Sequence, residues 1–263
     1  WTLSRGLGDV YKRQILLPIA IWRLSKRRDT GFELPGMGIL IGGGFICYAL
    51  SFLLTDVVRA LIIFYMTPVW TTFFEMIFLK KKHGWQRVVS LSLALGGLWV
   101  VFGQGGNIPL PKNAGDWLAL TGGIMFAGGM IRLEVIKTDG VFPIIFGFFI
   151  YGTLFNIVAG LLLVDYLGPV PSIDAFISMT TFLVLISVFY FIPTGIVILW
   201  APTQIGAGIC SILFLSEIIV GAVSSSILTD EPFGWRQIVG CSLIIIGGVV
   251  AVVLSPKENV SKQ

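Results

Sequence analysis

Charge is what this chain has least of. Only 12% of its 263 residues are charged, and it holds a single histidine, His83. A soluble domain carries about 25% charged residues, so roughly half of a water-facing coat is missing. That argues against a cytoplasmic enzyme, a nucleic-acid binder and a disordered chain. Cysteine is also sparse. Cys47, Cys210 and Cys241 sit singly in apolar runs, without the spacing of a disulfide frame or a zinc site. With its one histidine between apolar stretches, the chain has no Ser–His pair at membrane depth. No two carboxylates share a span there either, so an intramembrane enzyme lacks an activated nucleophile and a metal. The glycines lie inside apolar runs with no following P-loop lysine, so no phosphate loop and no cofactor are implied. What is abundant is hydrophobicity: 56% of residues, with a mean hydropathy of +0.91. The composition is that of an all-α polytopic membrane bundle.

Residue 1 is Trp, and Ser4–Gln14 resembles a translated sequencing adapter, so residues 1–14 are expected to be a non-native segment. No apolar core of signal-peptide length accompanies its basic residues. The run Ile15–Trp22 is too short to span, because a helix needs about 20 residues to cross the hydrocarbon. It is expected to be the end of a cut-off helix.

Apolar stretches of spanning length then recur at roughly 36–55, 58–79, 85–103, 115–136, 142–164, 175–200, 204–228 and 234–255. These eight spans are expected to be helices, since backbone groups in lipid must be satisfied within the segment. They lack the alternation of a barrel strand. Pro193 and Pro202 interrupt two of them. Alternating the connections across the bilayer puts Arg23, Lys26, Arg27, Arg28, Lys80, Lys81, Lys82, Arg87, Arg132, Lys137, Lys257 and Lys262 on one side and only Arg59, Lys112 and Arg236 on the other. The positive-inside bias makes the first side cytoplasmic, together with the tail 256–263, and predicts a multi-pass protein of the plasma (inner) membrane. The basic pI near 9.0 therefore marks topology rather than a nucleic-acid partner.

An internal repeat is legible. Gly84-Trp85-Gln86-Arg87-Val88-Val89 recurs 150 residues later as Gly234-Trp235-Arg236-Gln237-Ile238-Val239, and the match continues through Gly97 and Gly247. Lys80-Lys81-Lys82 precedes the first copy; Asp230-Glu231-Pro232 takes the same places before the second. Five spans separate the copies, so they are expected on opposite sides, and the change of flanking charge is what an inverted repeat requires. Such repeats are a recurring plan for secondary transporters, with the substrate near the midplane. The second half starts near Asn113, which puts the start of its partner about 37 residues before Trp1 and predicts ten helices in an intact protein.

These residues resemble the EamA family of the drug/metabolite transporter superfamily. The likeness is carried by Tyr65-Met66-Thr67-Pro68-Val69-Trp70, by Gly84-Trp85 running to Gly96-Gly97, by Leu215-Ser216-Glu217, and by Gly234-Trp235 running to Gly247-Gly248. The chain departs from the family pattern at Ile218, where a proline is usual, and at Lys81-Lys82, where a Glu-Arg-like pair is usual. The resemblance implies two repeats, at 15–104 and 113–255. It also implies a non-enzymatic secondary carrier of small organic metabolites, such as amino acids or related amphipathic compounds, working by alternating access. A channel or a structural membrane subunit is the alternative.

Glu217 is the one acid deep in a span, where a carboxyl must face a partner or an aqueous cavity. It is expected to bind a substrate amine or take up a coupling proton; the competing role is a carboxyl tied to backbone or Ser groups that fixes packing. Glu75 and Glu134 read as paired residues near the cytoplasmic end, and Arg59 with Asp56 as markers of the outer end. Tyr48, Tyr65, Trp70, Tyr190 and Phe214 are expected to line a cavity for a small-molecule substrate, against the alternative of ordinary packing. Pro68, at the centre of its span, and Pro193 with Gly195 are expected to bend or hinge their helices.

Overall fold

A computed structural model describes residues 33–102, 110–136, 142–162, 173–228 and 234–253. The expected non-native segment, the helix remnant at 15–22, Asp230-Glu231-Pro232 and the tail 256–263 lie outside the described residues. Among the described residues every regular element is helical. They are α1 (Glu33–Leu54), α2 (Val57–Phe64), α3 (Thr67–Phe78), α4 (Trp85–Phe102), α5 (Ala114–Val135), α6 (Phe142–Leu162), α7 (Ile173–Ile186), α8 (Ile192–Ile205), α9 (Ala207–Phe214), α10 (Ser216–Leu228) and α11 (Trp235–Val253). Seven stretches are long and apolar enough to cross a membrane, namely Pro35–Leu54, Val57–Phe78, Trp85–Phe102, Ala114–Val135, Ile177–Ile205, Ala207–Ser224 and Trp235–Val253, with a shorter apolar helix at Pro143–Phe155. The chain is a polytopic, multi-pass helical membrane protein.

Small residues set the closest packing, as expected where apolar burial gives helices no preference for one another over lipid. On α1 and α5, a Cβ added at Gly44 would lie 2.9 Å from the Gly122 carbonyl oxygen, and one at Gly122 would lie 2.8 Å from that of Gly44. The α4–α11 pair is tighter still. A Cβ at Gly97 would lie 2.5 Å from the Gly240 oxygen, and one at Gly240 2.7 Å from the Gly97 oxygen. Seven residues earlier on α4, the Ser90 hydroxyl donates to the Gly247 carbonyl at 2.7 Å. Early residues of one helix meet late residues of the other, so α4 and α11 run antiparallel. The 150-residue offset maps Gly97 onto Gly247 and Ser90 onto Gly240, which exchanges these two contacts.

The span Val57–Phe78 is broken at Tyr65–Met66, between α2 and α3. Pro68, expected mid-helix, instead sits in the first turn of α3. There its missing N–H costs little, and the Phe64 carbonyl left without a donor accepts from the Thr67 hydroxyl at 2.5 Å. The span Ala207–Ser224 breaks at Leu215, between α9 and α10, again 150 residues later. No proline is needed at this second break: Leu215 N donates to the Ile212 oxygen and Ile218 N to the Leu215 oxygen, both at 3.1 Å. These tighter one-turn bonds end one helix and start the next.

The two prolines expected to interrupt later spans behave differently from each other. Pro193 follows a π-helical turn, Ser187–Phe191, whose widened ring is closed by Ile192 N donating to the Ser187 oxygen. Pro202 lies buried inside α8 without ending it. The turn falls instead at Gly206, whose φ of 82° favours a residue without a Cβ. The boundary expected between 200 and 204 therefore moves to 205–207.

Candidate functional site

Residues beside the two helix breaks, Tyr65 at one and Ser216 and Glu217 at the other, line a cavity of about 670 Å³. Tyr65, the residue that follows α2, donates its hydroxyl proton to Glu217 Oε2 at 3.0 Å. Glu217 lies in the first turn of α10 and is exposed to the cavity. A carboxyl at that depth needs a partner or an aqueous cavity, and the Tyr65 hydroxyl is such a partner. Aromatic rings form much of the wall. Phe126 meets Phe45 at 5.2 Å, Phe64 at 5.8 Å and Phe214 at 6.1 Å between ring centroids. Tyr190 and Gly195, from the π turn and α8, complete one side.

One end of the bundle is closed by a buried ion cluster that sequence reasoning resolved only in part. Glu75, at 3% exposure, and Arg87, at 6%, are packed inside. Arg87 Nη2 donates to Glu75 Oε2 at 3.0 Å and its Nε donates to the Thr72 hydroxyl at 3.2 Å. Lys81 lies 3.5 Å from Glu75 and also pairs with Glu134, while His83 Nε2 is 3.3 Å from Glu75. The carboxylates reach across to the start of α9: Gly208 N donates to Glu75 Oε1 at 3.1 Å and Ala207 N to Glu134 Oε2 at 2.8 Å. Two acids thus satisfy the unpaired N–H groups of a helix N-terminus, where negative charge is favoured. Thr71, fully buried, lies on α3 between Thr67 and the cluster, and Ser211 lines the cavity. Thr67, on the cavity wall, and Glu75 are eight residues apart, about 12 Å along α3 at 1.5 Å per residue.

The opposite end carries a second polar cluster. Arg59 pairs with Asp116, which also accepts from the Thr55 hydroxyl at 2.7 Å and from Lys112 N at 2.9 Å. Asn113 caps α5 by accepting from Asp116 N at 2.7 Å. Arg59 therefore ties α2 to α5, a connection that grouping it with Asp56 had missed. The available signal was Asp116 in the first turn after an Asn cap, on a helix starting at the same end as α2.

Of the residues singled out from sequence, Glu217, Tyr65, Tyr190, Phe214 and Gly195 come together on the cavity wall. Tyr48 and Trp70 do not. Tyr48 stacks on Phe64, with ring centroids 4.0 Å apart. Trp70 Nε1 is buried and finds no acceptor among the described residues. Pro68 is buried at the break itself, and Pro193 is exposed beside the π turn. Among the described residues, no group of three or more His, Cys, Asp or Glu side chains could hold a metal.

No curated protein matches the chain in sequence. A solved crystal structure of a protein superposes with a TM-score of 0.68 at 15% identity, over 94% of this chain and 84% of its own. That likeness is one of fold. In sequence, residues 14–103, the stretch that supplies Tyr65, Glu75 and Arg87, match the model of the EamA-like transporter family.

Proposed function

We propose that this chain is a secondary carrier that moves small amphipathic organic solutes, amino acids and their relatives among them, across the plasma (inner) membrane by alternating access. The observation that carries this reading is a midspan cavity sealed at one end by charges drawn from both halves of the sequence. Glu75 and Glu134, from α3 and α5, hold the start of α9, and breaking those bonds is what opening that end requires. In this reading the Lys/Arg asymmetry assigns the sealed end and the C-terminus to the cytoplasmic side. The two inverted halves, 15–104 and 113–255, supply the second state by exchanging their roles, as in other inverted-repeat carriers. Glu217 and Tyr65 are the proposed polar contacts for the solute, with Tyr190 and Phe214 as apolar ones; Gly195 and the breaks beside Pro68 and Pro193 are the proposed hinges.

Counterflow tests the reading. Proteoliposomes loaded with unlabelled solute should accumulate labelled solute transiently, with saturation, from panels of radiolabelled amino acids and amines. Flux without saturation or trans-stimulation would indicate a channel and overturn the carrier.

A further inference from the structure

Under the alternating-access reading, on which this inference rests, whatever closes one end of the bundle has a repeat counterpart that closes the other end in the second state. The helices α2 (Val57–Phe64) and α9 (Ala207–Phe214) are such counterparts, since their bounds differ by the repeat offset at both ends. Their starts are held very differently. Ala207 and Gly208 are buried, and their N–H groups donate to Glu134 and Glu75. At the start of α2, Val57 and Val58 are 55% and 42% exposed, and Asp56 in the cap position makes no capping bond. The residues that hold α9 also change between the copies. At the repeat offset Glu75 becomes Ser225, Arg87 becomes Gln237, Thr72 becomes Ala222 and Lys81 becomes Glu231. Gln237 accepts from Gly234 N at 3.1 Å, within its own first turn, and Arg236 lies over the Trp235 ring at 5.7 Å.

Closing the Glu75 end forms charge-assisted bonds, which are stronger than neutral ones. Arg87 and Lys81 meet Glu75, Lys81 also meets Glu134, and both acids take backbone N–H groups of α9. Withdrawing one partner leaves an uncompensated buried charge, so the network is kept or lost as a unit. Closing the opposite end through Ser225 and Gln237 offers only neutral hydrogen bonds. The Arg59–Asp116 pair at that end is formed in the same state as the Glu75 cluster, so closure there gains nothing further from it. We infer that the cluster is a one-sided latch: the unloaded chain rests closed at the Glu75 end, and the opposite end is the one that opens to admit solute.

The test is the rate at which an impermeant maleimide reaches one cavity cysteine from each side, in sealed membrane vesicles of the two orientations without added solute. Thr194→Cys provides it, since Thr194 lines the cavity, in a full chain with Cys47, Cys210 and Cys241 replaced by alanine. With the latch intact, labelling from the Glu75 side is expected to be at least about tenfold slower than from the opposite side. Giving the latch its counterpart's residues, Glu75→Ser with Arg87→Gln, is expected to narrow that ratio at least about threefold. Building the missing copy, Ser225→Glu with Gln237→Arg, leaves the Glu75 cluster in place and is expected to slow labelling from the opposite side at least about threefold. Equal rates from the two sides with the latch intact, or a ratio that the first double variant leaves unchanged, would each overturn the latch. Should that variant misfold, the second decides, and no slowing from the opposite side overturns the latch as well. Failure of the carrier reading looks different: one-sided labelling with no counterflow removes the carrier and keeps the latch, whereas saturable counterflow with equal labelling from both sides does the reverse.

Discussion

Tyr65 and Glu217 are 152 residues apart in sequence, yet the tyrosine hydroxyl donates to the carboxylate at 3.0 Å. Each sits at the break of its own span, and the breaks themselves are offset by the repeat distance of 150. The bond therefore joins equivalent regions of the two halves. A helix break frees backbone groups and brings a side chain to the cavity at a depth where a continuous helix would offer only its flank.

Tyr65→Phe keeps the ring packed edge-on against Phe64 and removes only the donor. A hydrogen bond to a charged group contributes about 1.5–3 kcal/mol, and water in the cavity replaces part of it. The expected outcome is a three- to tenfold rise in the half-saturating solute concentration (about 0.7–1.4 kcal/mol), with little change in maximal counterflow. An unchanged half-saturation constant would show that the tyrosine merely packs.

The Glu75 cluster leads to a prediction about stability. Removing one partner of a buried ion pair leaves an uncompensated charge and costs about 3–5 kcal/mol, whereas replacing both by apolar groups is often neutral. Arg87→Met should therefore lower the melting temperature in detergent sharply, and Glu75→Met with Arg87→Met should recover part of the loss. Recovery will be incomplete, because Lys81 and the Gly208 N–H also use Glu75. A double variant no more stable than Arg87→Met alone would contradict the pairing.

The helices were legible in the sequence because lipid imposes length and apolarity on them. The inverted repeat was legible because the Gly-Trp starts and the flanking charges agreed independently. The breaks were less so. Pro68 marks a missing N–H, but whether that falls mid-helix or in a first turn depends on Thr67 capping Phe64, which composition does not reveal. Arg87 looked like one more cytoplasmic charge beside Lys80–Lys82, because its burial follows from the way α4 packs on α3. The backbone N–H of Gly208, which receives Glu75 from 133 residues away, leaves no mark beyond a small residue.

Gly208 gives the most local test of the seal. A Cβ there would fall 1.6 Å from Arg87 Nη2 and 2.2 Å from Glu75 Oε2, so both side-chain ends must leave their present positions around an alanine. Gly208→Ala should hold that end open. In a background with Cys47, Cys210 and Cys241 replaced by alanine, a cysteine at the fully buried Thr71 should then react with a membrane-impermeant maleimide from the Glu75 side. The same cysteine beside an intact Gly208 should react at least about tenfold more slowly, its exposure requiring the rare opening of a packed plug. Equal rates would mean that the cluster does not seal the bundle.

The antiparallel contact of α4 with α11 makes a prediction about the membrane itself. Trp85 and Trp235 begin these helices and are exposed, at 67% and 68%, so cysteines in their places should be reachable without disturbing the fold. Ser90 meeting Gly247 while Gly97 meets Gly240 puts the two tryptophans at opposite ends of the pair. In the same cysteine-free background, an impermeant maleimide added to intact cells should label Trp235→Cys, on the side with little Lys and Arg. Trp85→Cys should be labelled only after permeabilisation. Both labelled from one side would be incompatible with the packing, since reversing either helix would pull the Ser90 hydroxyl away from the Gly247 carbonyl and separate the Gly97–Gly240 contact.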